Sequence, residues 1–263
     1  MGMMNGPLRV VMSGDLVALP VLATCIGSLV RHSARERVEV DVYTRAAALP
    51  DDVETDGLRV HFRRPPRAVE CNLGRLPSEM FDRLWVMEDR QEWDRCLVWD
   101  WDMVAVGGVD AMYDVEMAGR YGAYVVSPKG ATYLGNKWVK RGAWAREMPG
   151  VEQVYFRFGG VMNLDECRRG KIMERMLVWA HGGSTEQALL ASAMEGNYAP
   201  LETKFNALPA IEEIPEDVRV LHFFGTKKPW IYPNVAGGDL WAREATTWGE
   251  LRKMAGQAGS LTS

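Results

Sequence analysis

The stretch Arg95-Cys96-Leu97-Val98-Trp99-Asp100-Trp101-Asp102 decides how the rest of this 263-residue chain is read. Residues 96–99 are apolar and suit a buried strand, and two aspartates follow where that strand would end. In an extended segment residues i and i+2 share a face, so Asp100 and Asp102 are expected to point together into the crevice beyond the strand's carboxyl end. That crevice is where open α/β sheets bind ligands. Removing an ionised carboxylate from water costs on the order of several kcal/mol, so a compensating cation is expected beside the pair.

Upstream, an apolar run over residues 8–12 ends in Ser13-Gly14-Asp15. Pro20 and an apolar period through Val21, Leu22, Cys25, Ile26 and Leu29 follow, giving strand, turn and helix. Residues 38–43 and 58–62 alternate as strands, and 77–90 have helical spacing at Met80, Phe81, Leu84, Trp85 and Met87. Downstream come a short helix (109–117), a strand (121–127), loops over 128–150, and a strand at 155–164 interrupted by Gly159-Gly160. Helices at 165–179 and 185–195, separated by Gly182-Gly183, precede a last apolar strand, 218–224, carrying His222. Alternating strands and helices predict an α/β fold with a mostly parallel central sheet and helices on both faces.

Residues 1–233 are expected to form the main domain and 234–263 a C-terminal tail. Within the tail, Thr247 and Glu250 have the spacing of a capping box, which predicts a short helix. Trp241, Trp248, Arg252 and Lys253 would suit a membrane surface, but the tail is read as docked or solvated.

Hydrophobic residues make up 47% of the chain, enough for a large core. A net charge of -4 with a pI near 5.7 argues against a general nucleic-acid binder. The four cysteines, Cys25, Cys71, Cys96 and Cys167, lie far apart and form no Cys-x-x-Cys, which points to a reducing compartment, the cytoplasm. The N-terminal residues lack a charged segment followed by an apolar core, and no window approaches about 18 apolar residues, so neither a signal peptide nor a membrane span is expected.

Histidine in an apolar strand is ordinarily a hydrogen-bonded core residue. Here Gly225 and Lys228-Pro229-Trp230 follow His222, offering backbone room for a phosphate, a cation to neutralise it and a fixed turn. Two carboxylates and an imidazole suit Mn2+ better than Mg2+, which prefers all-oxygen surroundings.

On these residues the chain resembles the retaining glycosyltransferases of family 8. The similarity runs through Asp15, Ser28-Leu29, Arg83-Leu84, Asp100-Trp101-Asp102, Gly159-Gly160-Val161-Met162-Asn163-Leu164, Glu186-Gln187 and Lys204-Phe205-Asn206. It ends in the most specific stretch, His222-Phe223-Phe224-Gly225-Thr226-Lys227-Lys228-Pro229-Trp230. The resemblance implies a GT-A fold, a nucleotide-sugar donor (a UDP-sugar), transfer of a hexose to a glycan or other hydroxyl acceptor, and a metal held by Asp100, Asp102 and His222. It also implies donor contacts from Ser13, Asp15, Arg83, Asp100, Trp101, Gly159, Gly160, Gly225 and Lys228. Glu186-Gln187 stands where the family usually has Asp-Gln facing the sugar, which makes both candidates for catalysis, although Ser184-Thr-Glu-Gln187 also reads as a capping box.

Two departures bear on the donor. Ala18 stands where the family often has an aromatic residue, and Arg157-Phe158 precede the glycines where it often has asparagine. Among ten tryptophans, Trp138, Trp144 and Trp230 are candidate acceptor platforms. Asp100-Trp-Asp102-Met-Val104 also fits the nucleophile string of a haloacid-dehalogenase phosphatase, but that motif normally opens its domain. A catalytically inactive sugar-nucleotide-binding protein is the other alternative.

Overall fold

The computed structural model describes residues 6–14, 18–69, 78–126, 156–180 and 186–257. Asp15, Cys71, Trp138, Trp144 and Ser184 lie outside them. The first half supplies β1 (Leu8–Ser13), α1 (Leu19–His32), β2 (Val38–Tyr43), β3 (Val53–Glu54), β4 (Leu58–Arg63) and β5 (Arg95–Val98). These join β7 (Gly122–Val126), β8 (Phe156–Asn163) and β9 (Ala199–Leu201) in one eight-stranded sheet of order β3-β4-β2-β1-β5-β8-β7-β9. Six strands run one way, while β3 and β8 run against their neighbours. The sheet is therefore mostly parallel, as expected.

Alternation along the strands divides the core into two layers. Leu8, Val10 and Met12 of β1 join Leu97 and Trp99 in one apolar cluster with Leu22, Ile26 and Leu29 of α1. Val11, Cys96 and Val98 point the other way, onto Phe81, Leu84, Leu164, Met176 and Leu190. Each fully buried leucine or isoleucine contributes about 1.5–3 kcal/mol. A parallel sheet needs both faces covered, and here helices cover both.

Several elements differ from expectation. Residues 77–90 do not form one α-helix: Ser78–Trp85 is 3-10 and only α2 (Val86–Asp89) is α-helical. Side chains three apart eclipse in a 3-10 turn, which puts Phe81 and Leu84 together in the core. The helix foreseen at 165–179 is two, α4 (Leu164–Arg169) and α5 (Ile172–Ala180), broken at Gly170, where an added Cβ would stand 2.5 Å from the Tyr121 ring. It is followed by α6 (Glu186–Met194).

The final strand differs most. It shrinks to β10 (Val220–His222) and leaves the central sheet to pair antiparallel with β6 (Met103–Ala105), a strand not foreseen. The short helix foreseen at 109–117 is confined to α3 (Asp110–Tyr113).

The tail carries two helices, α7 (Gly238–Glu244) and α8 (Trp248–Gln257), both packed on α1. The Thr247–Glu250 capping box is present: the Thr247 N–H donates to Glu250 Oε2 at 2.8 Å, and the Glu250 N–H to Thr247 Oγ1 at 3.2 Å. Trp241 is buried against Phe223 and Trp230, and the Trp248 indole N–H donates to the Leu19 carbonyl at 2.8 Å. Both tryptophans thus face the protein. No described helix is long and apolar enough to cross a membrane.

Candidate metal and donor site

Asp100 and Asp102 lie beyond the carboxyl end of β5, but the segment is not extended as the spacing suggested. The Met103 N–H donates to the Asp100 carbonyl at 3.0 Å, closing a tight turn, and the Asp100 N–H donates to Met103 Sδ at 3.4 Å. The Cys25 thiol, from α1, donates to the Trp101 carbonyl at 3.0 Å. Curvature of this braced turn, not the two-residue period of a strand, brings the carboxylates together.

The β6–β10 ribbon brings in the third donor. His222 pairs with Met103, and the Phe223 N–H donates to the Asp102 carbonyl at 2.9 Å. His222 Nε2 consequently stands 3.5 Å from Asp100 Oδ2 and 3.3 Å from Asp102 Oδ1. Among the described residues, Asp100, Asp102 and His222 form a buried group whose donor atoms all lie within 4.8 Å of one another.

The remaining carboxylate oxygens face protein cations. Arg83 Nη1 donates to Asp100 Oδ1 and, at 3.1 Å, to the Trp99 carbonyl; its guanidinium lies 4.0 Å from the centre of the Phe158 ring. Lys228 Nζ donates to Asp102 Oδ2 and, at 2.7 Å, to the Phe223 carbonyl, and lies 5.0 Å and 5.8 Å from the Trp101 and Trp230 rings. Compensation of the two aspartates therefore begins with the protein's own charges. Burial pushes the Asp102 carboxyl up, but His222 and Lys228 outweigh it and hold the group down at about 2.

The donor set fits a divalent metal. Two carboxylate oxygens and one imidazole nitrogen converge while the other oxygen of each carboxylate is already neutralised, which leaves the converging face for a cation.

The other foreseen residues are placed as follows. Arg83 is fully buried and also reaches Glu186 Oε1 at 3.5 Å, so it connects the aspartate turn to α6. Burial raises the Glu186 carboxyl's pKa; Arg83 opposes this and Asp100 adds to it. The Gln187 amide donates to the Phe156 carbonyl of β8. Ser13, at the end of β1, turns its hydroxyl to the Met80 carbonyl at 3.4 Å. Trp101 and Trp230 pack on each other at 5.3 Å between ring centroids. Gly225 is exposed at φ +87°, with nothing within 4 Å of where a Cβ would stand.

Gly159 and Gly160 are buried in β8. At Gly159 (φ +96°) a Cβ would stand 2.5 Å from Met103 Sδ and 2.9 Å from Asn206 Nδ2; at Gly160 it would meet the Ala123 carbonyl at 2.5 Å. Asn206 had no role in the sequence reading beyond membership of Lys204-Phe205-Asn206. It is fully buried and sits behind His222, with Oδ1 at 3.1 Å from Nδ1. Cys25 likewise stands out in the sequence only as part of the apolar period that becomes α1. A thiol contact to a backbone carbonyl 76 residues away leaves no local mark in sequence.

A large, mostly parallel sheet with an acidic pair beyond a central strand is the GT-A arrangement of nucleotide-sugar enzymes. The family model for glycosyl transferase family 8 matches residues 76–233, and the chain belongs to that family. The protein is a retaining glycosyltransferase. GT-A enzymes generally use a divalent metal. The galactosyltransferase LgtC in complex with donor and acceptor sugar analogues is 17% identical over 97% of each chain, with a TM-score of 0.65. An active-site mutant of LgtC is 18% identical over 97% of each chain, with a TM-score of 0.66. Apo GlyE of Streptococcus pneumoniae TIGR4 is 16% identical, over 94% of this chain and 62% of that one, with a TM-score of 0.67. No curated protein matches the sequence significantly. The phosphatase reading of Asp100 and Asp102 is not favoured: four strands precede the motif, and the family match spans it.

Proposed function

We propose that this enzyme moves a hexose from a UDP-sugar to a hydroxyl of a glycan, with Mn2+ held by Asp100, Asp102 and His222. The observation that carries the reading is the converging set of Asp100 Oδ2, Asp102 Oδ1 and His222 Nε2, with Arg83 and Lys228 on the other two carboxylate oxygens. One nitrogen and two oxygens favour Mn2+ over Mg2+. When bound, the metal supplies positive charge for the diphosphate leaving group, which becomes more negative as the glycosidic bond breaks.

The chain's own residues share the remaining work. Lys228 is buried against Asp102, where its ammonium can turn to a phosphate, and exposed Gly225 leaves backbone room three residues before it. Trp101 and, by the family resemblance, Ser13 and Asp15 belong to the donor side, whereas Gly159 and Gly160 serve it from behind by letting β8 approach Met103, Asn206 and Ala123. Arg83 has no exposed surface, so it serves the donor by holding Asp100 and Glu186.

Gln187 and Glu186 face the sugar. LgtC carries a glutamine in its active site, the residue changed to glutamate in the matched mutant, and Gln187 is its candidate counterpart. The Gln187 NH2 is committed to Phe156, which turns its carbonyl into the group available to an electron-poor anomeric centre. Release of UDP from UDP-sugars with and without Mn2+, in wild type and Asp102→Asn, tests the reading. Metal-dependent release in wild type and near-background release in the variant are expected. Equal release from both sinks the metal assignment, and no release from any UDP-sugar sinks the donor assignment.

A further inference from the structure

We infer that Asn206 is a positioning residue that orients the His222 ring, keeping a proton on Nδ1 so that Nε2 is the nitrogen presented to a cation between the two aspartates. Its consequence for metal binding rests on the reading of His222 as a ligand.

The orientation of the Asn206 amide follows from its partners. Nδ2 stands 2.7 Å from the Phe158 carbonyl oxygen and 2.9 Å from that of Gly159. Both oxygens only accept, so the amide nitrogen must face them, and a flipped amide would set oxygen against two oxygens. Oδ1 is thereby fixed toward His222 Nδ1 at 3.1 Å. An amide oxygen only accepts as well, so Nδ1 carries the hydrogen. Nε2 faces Asp100 Oδ2 at 3.5 Å and Asp102 Oδ1 at 3.3 Å, which also only accept, so a cation belongs among the three atoms: a proton on Nε2, or a metal ion that takes its place on the nitrogen's lone pair.

The backbone holds this arrangement from several sides. The Asn206 N–H donates to the Thr203 carbonyl at 3.0 Å, and the Asn206 carbonyl accepts from Arg157. The His222 N–H donates to the Ala207 carbonyl at 2.9 Å, so the histidine and its neighbour's chain move together. Gly159 lets β8 come this close, since a Cβ there would stand 2.9 Å from Asn206 Nδ2. Partners of this kind, hydrogen-bonded to the far nitrogen of a ligating histidine, fix ring orientation and are worth about 10–100-fold in metal affinity.

The test uses the full-length, 15N-labelled, metal-free protein. Long-range proton–nitrogen spectra distinguish the two tautomers, and with four histidines in the chain His222→Ala identifies the signal. Wild type is expected to show the proton on Nδ1. In Asn206→Ala the proton moves to Nε2 and Mn2+ affinity, read by electron paramagnetic resonance, falls about 10–100-fold. Asn206→Asp keeps the acceptor but turns an oxygen toward the two carbonyls. It is expected to restore the Nδ1 proton and most of the Mn2+ affinity while unfolding at a lower temperature than wild type.

A purely structural asparagine would leave the aspartate variant as poor in Mn2+ binding as the alanine one, which overturns the inference. So does a wild-type His222 that carries no proton on Nδ1, a result that needs no variant to fold. If wild type binds no Mn2+, the metal reading fails, and the tautomer spectra still decide the Asn206 contact.

Discussion

The inner and outer sides of the aspartate cluster are built differently. On the inner side, Arg83 and Asn206 are fully buried and each touches at least two partners, tying Asp100 and His222 to β8, α6 and the turn. On the outer side, Lys228 holds Asp102 beside the half-buried rings of Trp101 and Trp230, and exposed Gly225 follows the ribbon. The difference teaches that one cluster answers to two kinds of constraint. The inner side fixes where the donor atoms stand and is inseparable from folding, whereas on the outer side the exposed turn at Gly225 can be altered at little structural cost and buried Lys228, paired with Asp102, cannot.

Substitutions can break this contrast in order of expected effect. Arg83→Ala should be the most damaging to stability, because it leaves Asp100 buried beside Glu186 without its cation; a loss of about 3–5 kcal/mol is expected in denaturant unfolding. Asp102→Asn keeps the shape and removes a ligand charge. Turnover should fall about 10²–10³-fold, the scale of losing one electrostatic stabiliser of a transition state, while the unfolding midpoint moves less than in the Arg83 variant. Gly159→Ala should cost about 1–3 kcal/mol, since the new methyl presses on Met103 and Asn206 at a positive φ, and Mn2+ affinity should fall with it. Gly225→Ala meets no neighbour and bears only the strain of φ +87°, about 1 kcal/mol; its KM for donor should rise a few-fold with the unfolding midpoint lowered by only a few degrees. Equal stability losses at Gly159 and Gly225 would erase the distinction between the two sides.

Much of this was legible in the sequence for physical reasons. Asp100, Asp102 and His222 are residue types that a buried apolar run excludes unless they have partners, so their positions at the ends of such runs mark them. Pro20 at the start of α1 and the Thr247–Glu250 pair are local signals with local causes, and both appear where expected. The β6–β10 ribbon was not legible: each strand has three residues, too short to show a period, and its pairing joins segments more than a hundred residues apart. The depth of Arg83 was hidden as well. An arginine beside apolar residues reads as an exposed or ligand-facing group, and only the fold reveals that Asp100, Glu186 and Phe158 enclose it. Helix α7 begins at Gly237 without a side-chain cap, so no signature announced it.

The central claim is that Asp100, Asp102 and His222 together hold a divalent cation that carries the donor's diphosphate. The most direct measurement is Mn2+ binding, by calorimetry or electron paramagnetic resonance, with and without UDP, in wild type, Asp102→Asn and His222→Ala. The account predicts Mn2+ binding that UDP strengthens in wild type, and at least about a tenfold loss in each variant with the fold intact. Wild-type affinity in both variants, or a wild type that binds UDP equally well with and without Mn2+, would contradict it.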